Sequence, residues 1–348
     1  MDFRSDNTGS AAPEIIESLL ECNHGTATPY GGDEYSTLLN ERFSELFEKK
    51  VTVLCAVTGT AANAIGLSTI TPPYGSIICH EHSHIATDEC GAPEFMTGGA
   101  KLLTIDGVDA KISAHGIKSA LEKAGMGFVH CSQPSAVSLT QATEMGAVYS
   151  CDELLEINEL TTQHKLNLHM DGARLANAIV SLGMAPADVT WRAGVDILTF
   201  GATKNGALGA EAIVLFREDL AEELAFRHKR AGQLISKSRF ISAQLLAYIK
   251  DDLWLDLASR ANHYAQQLAS EFNSLKGAQV ETVCASNEVF VTLPKLVIEG
   301  LRDCGAQFYG WPEPWDASNT IRLVTRWDAQ EQEIKNIIDS SARLLEKV

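Results

Sequence analysis

The spacing of apolar positions along the chain changes several times, and each change marks an element. Residues 36–49 (STLLNERFSELFEK) carry apolar side chains at helical intervals, which predicts a helix. The run VTVLCAV that follows is short, β-branched and uninterrupted, which predicts a strand. TGTAANAIGLSTI then reads as a turn entering a helix, GSIICH as a strand and GFVHCSQPS as another. Residues 152–164 read as helix, LNLHMDGA as strand, ARLANAIVSLG as helix, and VDILTFGAT and GAEAIVLF as strands. Apolar strands alternating with helices predict an α/β domain with a mostly parallel sheet.

From about Lys237 the pattern changes. Residues 240–275 read as one long helical stretch. VETVCASNEVFVTL, a helical VIEGLRDCG, the strand TIRLVTRW and a helical 329–346 follow. The expectation is a large domain over residues 1–240 and a smaller C-terminal α+β domain over 241–348. No Pro/Gly-rich linker marks the join.

Composition narrows the setting. A chain of 348 residues is long enough for a large domain and a small one. A formal net charge of −17, without a basic stripe, argues against nucleic acid and anionic membrane as partners. No run reaches the length of a membrane span, and MDFRSDNTGS lacks the apolar core of a signal peptide. The eight cysteines (Cys22, Cys55, Cys79, Cys90, Cys131, Cys151, Cys284 and Cys304) form no C-x-x-C pair, and most sit in apolar runs. They read as reduced thiols of a cytoplasmic protein.

Three places carry candidate chemistry. In DILTFGATKNGALGAEAIVLF, Lys204 sits among small residues between two apolar strands. Such a place suits a Schiff-base lysine, which needs partial desolvation and room for a flat cofactor; it equally suits an exposed turn lysine. In LNLHMDGARLANA, Asp171 ends an apolar strand and Arg174 follows one turn on. An acid there suits the protonated pyridine nitrogen of pyridoxal phosphate, and the arginine suits a carboxylate; a capping Asp with a surface Arg is the alternative. Thr58, Gly59 and Thr60 stand between a strand and a helix, which suits a phosphate or an ordinary cap. His80, His82 and His84 alternate as though on one strand face, but Cys79 and Cys90 complete no zinc spacing, so no metal is expected. A histidine stacked on a cofactor ring fits that stretch better.

With these residues in place, the sequence resembles the threonine aldolase family, in the β-eliminating-lyase group of fold-type-I pyridoxal phosphate enzymes. The matching pieces are RSDNTG at 4–9, YGGDEYS at 30–36, TGTAAN at 58–63, HSHIATDECGAPE at 82–94, HMDGARLANA at 169–178, FGATKNG at 200–206 and RLVTRWD at 322–328. They span nearly the whole chain, and the branch they resemble most is that of the bacterial low-specificity L-threonine and phenylserine aldolases. The resemblance implies an aspartate-aminotransferase-like fold and retro-aldol cleavage of L-threonine, L-allo-threonine or L-phenylserine to glycine and an aldehyde. Another lyase or aminotransferase of the same fold is the alternative. Implied roles are Lys204 on the cofactor, Asp171 at its pyridine nitrogen, Arg174 at ring oxygen or substrate carboxylate, Thr58, Gly59 and Thr60 at its phosphate, and His84 stacked on the ring. His84, or a water beside it or His82, would be the base. Ser5, Arg174 and Arg322 would hold the substrate carboxylate, with Tyr30 near the site. Lys229 or Lys237 would reach a partner subunit's phosphate in a homodimer or homotetramer. One departure stands out. Many relatives have a histidine in the stretch matching LTQATEMGAVYS, near Thr143; this chain has none, and a threonine there suits a larger or more apolar β-substituent.

Overall fold

The computed structural model describes residues 1–311 and 318–348. Its strands are β1 (Thr52–Ala56), β2 (Gly75–His80), β3 (Lys101–Ile105), β4 (Gln133–Thr140), β5 (Asn167–Gly172), β6 (Ile197–Gly201), β7 (Glu211–Leu215), β8 (Gln279–Val280), β9 (Glu288–Thr292), β10 (Tyr309–Trp311) and β11 (Thr320–Val324). The first seven form one sheet in the order β1-β7-β6-β5-β4-β2-β3. Only β7 runs against the rest, pairing antiparallel with both β1 and β6. The other four form an antiparallel sheet in the order β10-β11-β9-β8.

Successive side chains of a strand face opposite sides, and here both sides are buried. Ile78, Leu198 and Val214 enter one core, while their neighbours Ile77, Ile197 and Ile213 enter another on the opposite face. Two-sided burial accounts for the continuous apolar runs in the sequence. The helix Gly59–Ile70 lies on the second face, buried from Ala62 to Ile70. Its axis is thereby fixed, with its N-terminus at the end of β1. The first core reaches along the chain to Ala258. A third core, under the small sheet, takes in Phe3 from the other end of the chain together with Phe272, Val289 and Ile321.

Several elements differ from the sequence reading. The strand expected at GFVHCSQPS starts later, at Gln133. Gly125 and Gly127, both at positive φ, turn the preceding chain, and the Gln133 side chain ties that turn by donating to the carbonyls of Phe128 and Cys131. Residues 240–275 are two helices, Arg239–Ile249 and Leu253–Ser274, broken where Asp251 and Asp252 take left-handed backbone. His80, His82 and His84 do not share a strand face. β2 ends at His80 and a short helix begins at His84. The half-exposed β3 escaped the reading altogether.

Candidate active site

Six strands of the large sheet point their carboxyl ends the same way, and the start of β7 joins them. Open parallel sheets bind ligands at that edge. Here the edge carries a cavity of about 270 Å³ lined by Thr58, Gly59, Thr60, His84, Asp171, Arg174 and Lys204, and also by Glu144 and Glu211.

At one end, Thr58 caps the helix Gly59–Ile70 by accepting from the Ala61 N–H at 3.1 Å. The N–H groups of Gly59 and Thr60 belong to the first turn, where no intrahelical acceptor exists. A Cβ added at Gly59 would meet nothing within 4 Å, so open space lies before these donors. Such a helix start suits an anion.

Asp171 ends β5 and is 3% exposed. Each carboxyl oxygen has a donor: Asn63 Nδ2 at 2.8 Å and the Ala173 N–H at 2.9 Å. Asn63 also donates to Glu89 at 2.8 Å, and Glu89 accepts from His84 Nδ1 at 2.8 Å. The hydrogen bond to Glu89 raises the His84 pKa above its ordinary value, against the opposing pull of burial.

Lys204 lies in a turn directly after β6. The turn sits close to the loop after β5 because Gly201 has no side chain; a Cβ there would stand 2.5 Å from the Ala173 carbonyl oxygen. Glu211, on the neighbouring start of β7, accepts from the Ala202 N–H at 2.9 Å. Burial pushes its carboxyl up to about 7, although hydrogen bonds from Thr203 and Ala202 and the charge of Lys204 pull the other way. The loop after β4 contributes Glu144, half-buried, whose carboxyl is also pushed up to about 7, chiefly by desolvation.

Arg174 is held from behind. Its Nε donates to Asp6 at 2.8 Å and its Nη2 at 3.3 Å, while Nη1 lies 3.5 Å from Glu288. Arg322 Nη1 stands 4.0 Å from the other Glu288 oxygen. Both guanidinium groups thus share one fully buried carboxylate that accepts no hydrogen bond from any described residue.

Of the residues singled out in the sequence, Lys204, His84, Asp171, Arg174, Thr58, Gly59 and Thr60 meet in the cavity. Ser5 and Arg322 do not line it. Ser5 adjoins Asp6 and accepts from the N–H of Asn7, a lining residue, and Arg322 reaches the site through Glu288. Tyr30 stands apart, 53% exposed, with Lys229 Nζ 4.9 Å from its ring centre. Lys229 and Lys237 are both exposed. His80 and His82 bond to each other, the His82 N–H donating to the His80 ring. Thr143 is fully buried and donates to the Asp109 carbonyl at 2.8 Å. Its side chain does not line this cavity, although those of its neighbours Ala142 and Glu144 do. Asn63, Glu89, Glu144, Glu211 and Glu288 were not anticipated. Among the described residues no group of His, Cys, Asp or Glu is arranged to hold a metal.

Comparison with known proteins gives this arrangement its setting. Residues 2–294 match the model of the beta-eliminating lyases. The chain belongs to that family. It is 40% identical over 336 residues to low-specificity L-threonine aldolases of a Pseudomonas species and of Pseudomonas aeruginosa, covering 96% of this chain and 95% of each relative. The structure of a Leishmania major threonine aldolase superposes with a TM-score of 0.91 at 28% identity, over 99% of both chains. A serine palmitoyltransferase from Sphingomonas wittichii, at 14% identity and a TM-score of 0.74 over 100% of this chain and 87% of its own, shares the fold alone. This lyase has the fold-type-I architecture and depends on pyridoxal phosphate. The lining residues fit that group: open space before the helix N-terminus that suits its phosphate, the acid Asp171 that suits its ring nitrogen, and Lys204 between two strand ends.

Proposed function

We propose that this lyase cleaves L-β-hydroxy-α-amino acids, L-threonine, L-allo-threonine and L-phenylserine among them, to glycine and an aldehyde. The observation that carries the reading is a single cavity holding a lysine, a doubly hydrogen-bonded aspartate, a helix N-terminus and an arginine. The names of the 40% identical relatives support the reaction class.

Pyridoxal phosphate, when bound, supplies a pyridinium ring that accepts the electron pair of the breaking Cα–Cβ bond. Lys204 would hold its aldehyde carbon, Asp171 its ring nitrogen, and the N–H groups of Gly59 and Thr60 its phosphate. His84 would cover the ring face, its orientation fixed by Glu89. Arg174, braced by Asp6, and Arg322 would grip the substrate carboxylate. A two-point grip of this kind sets which bond at Cα stands perpendicular to the ring, and so which bond breaks. Ser5, beside Asp6, would steady the same end.

The exposed positions of Tyr30, Lys229 and Lys237 support a homo-oligomer, dimer or tetramer, in which they serve a neighbouring subunit's site. All eight cysteines are unpaired, and no described helix is long and apolar enough to cross a membrane. A cytoplasmic setting accords with both. The test is to mix purified holoenzyme with L-threonine and with L-phenylserine and to measure glycine and aldehyde. Equimolar release of the two is expected. No aldehyde from either substrate overturns the reading.

A further inference from the structure

Cleavage of a β-hydroxy amino acid needs a group that removes the hydroxyl proton. Three carboxylates line the cavity: Glu144, Asp171 and Glu211. Asp171 has a donor on each oxygen. Glu211 is engaged by the Ala202 N–H. Glu144 differs from both. Its Oε1 accepts from the His84 N–H at 2.8 Å and from Thr140 Oγ1 at 2.9 Å, which fixes the carboxyl in one orientation. Its Oε2 is buried and has no hydrogen-bond partner among the described residues. An unsatisfied oxygen in a buried carboxyl costs about 1–3 kcal/mol and is not retained idly.

We propose that the Glu144 carboxylate is the base that takes the proton from the substrate β-hydroxyl. The inference rests on the aldolase reading above. The O–H bond breaks and its proton passes to that carboxylate. The oxygen's electron pair forms the aldehyde C=O as Cα–Cβ breaks. Cα regains one proton to become glycine, so the reaction is redox-neutral and needs no co-reactant. In the direction of synthesis, protonated Glu144 returns the proton to the forming alkoxide.

The charges around Glu144 suit a base working near neutrality. Burial is the main cause that lifts its carboxyl to about 7, the His84 N–H lowers it, and Asp171 raises it. Arg174, a cation whose charge Glu144 favours, lines the same cavity. Cys79 and Tyr149, the other titratable groups that sense it, are themselves pushed upward by burial and stay neutral. The Nδ1 of His84 is already committed to Glu89 at 2.8 Å.

The experiment compares wild-type, Glu144→Gln and Glu144→Asp holoenzymes. Glutamine keeps Oε1 as an acceptor for the His84 N–H and removes only the basic oxygen. Aldehyde release by Glu144→Gln is expected to fall about a hundredfold. The wild-type kcat should show a one-proton decline below about pH 7, and Glu144→Gln should lose it. Exchange of the glycine α-proton with deuterium oxide, which involves no β-hydroxyl, should stay within about twofold of wild type. Glu144→Asp should restore part of the activity and of the acid limb.

A readout independent of turnover is the infrared band of a protonated carboxyl in the cofactor-free protein. In a Glu211→Gln background that band should titrate near neutrality and vanish on adding Glu144→Gln. Wild-type activity with an unimpaired Glu144→Gln overturns this inference alone. Equal loss of cleavage and glycine exchange also overturns it, showing a positioning role instead. No aldehyde from the wild type overturns the proposed function and this inference with it.

Discussion

At the scale of single residues, the site is a set of acids whose protons are placed by burial. Glu211 makes this measurable. Its folded-state carboxyl is raised to about 7, chiefly by burial, above the ordinary 4.5. A raised carboxyl is neutral when folded and ionised when unfolded between those two values. Rising pH therefore draws the protein toward the unfolded state across that window and adds little above it. Glu211→Gln imitates the neutral form. It should stabilise the cofactor-free protein by on the order of 2 kcal/mol at about pH 8 and by far less at about pH 5, read from thermal melts at the two values. An equal gain at both would show that Glu211 is not raised. Lys204 and Asp171 were legible in the sequence because each stands where an apolar strand run gives way to small residues. Glu144 and Glu288 were not. An acid in a polar stretch such as QATEMG, or before a strand as in SNEVFV, reads as solvent-facing. Only the fold shows that Glu288 is fully buried and Glu144 half-buried at the cavity wall.

At the scale of elements, the carboxyl ends of β5 and β6 must approach closely for the cavity to exist. Gly201 and Gly172 allow this, each facing backbone of the other strand or its loop within 2.6 Å of where a Cβ would be. Gly201→Ala forces backbone apart three residues before Lys204. The expected cost is about 1–3 kcal/mol in a denaturant melt, with weaker pyridoxal phosphate binding by absorbance titration. Unchanged affinity would mean that the strand ends can separate without moving the lysine. The strands of the large sheet were mostly readable because burial on both faces leaves continuous apolar runs. The edge strand β3, half exposed, carries no such run. The break between the helices Arg239–Ile249 and Leu253–Ser274 was equally silent. Two aspartates in left-handed backbone make it, with neither glycine nor proline to announce it.

At the scale of the whole molecule, the two sheets are tied together through the first few residues. Asp6 accepts from Arg174 beside the large sheet and from Asn287 beside the small one. Burial opposes its charge, but Arg174 and Lys204 hold its carboxyl below the usual range. A depressed carboxylate contributes stability above its unfolded pKa of about 3.8, and that contribution fades as pH falls through the folded value. Asp6→Asn leaves Arg174 short of its main counter-charge. It should cost about 3–5 kcal/mol near neutrality, with a smaller deficit in acid, and should raise KM for the amino-acid substrate. A variant that melts like wild type at neutral pH would show that the tie carries no weight. The same layout governs the order of events during synthesis. Thr52 pairs with Leu215, and Phe3 bonds to Gln307 and Val324. A chain cut short before residue 211 would leave β1 without the strand it pairs with among the described residues. One cut short before residue 307 would leave Phe3 without both of its backbone partners, so the two ends of the sequence meet only once synthesis is nearly complete.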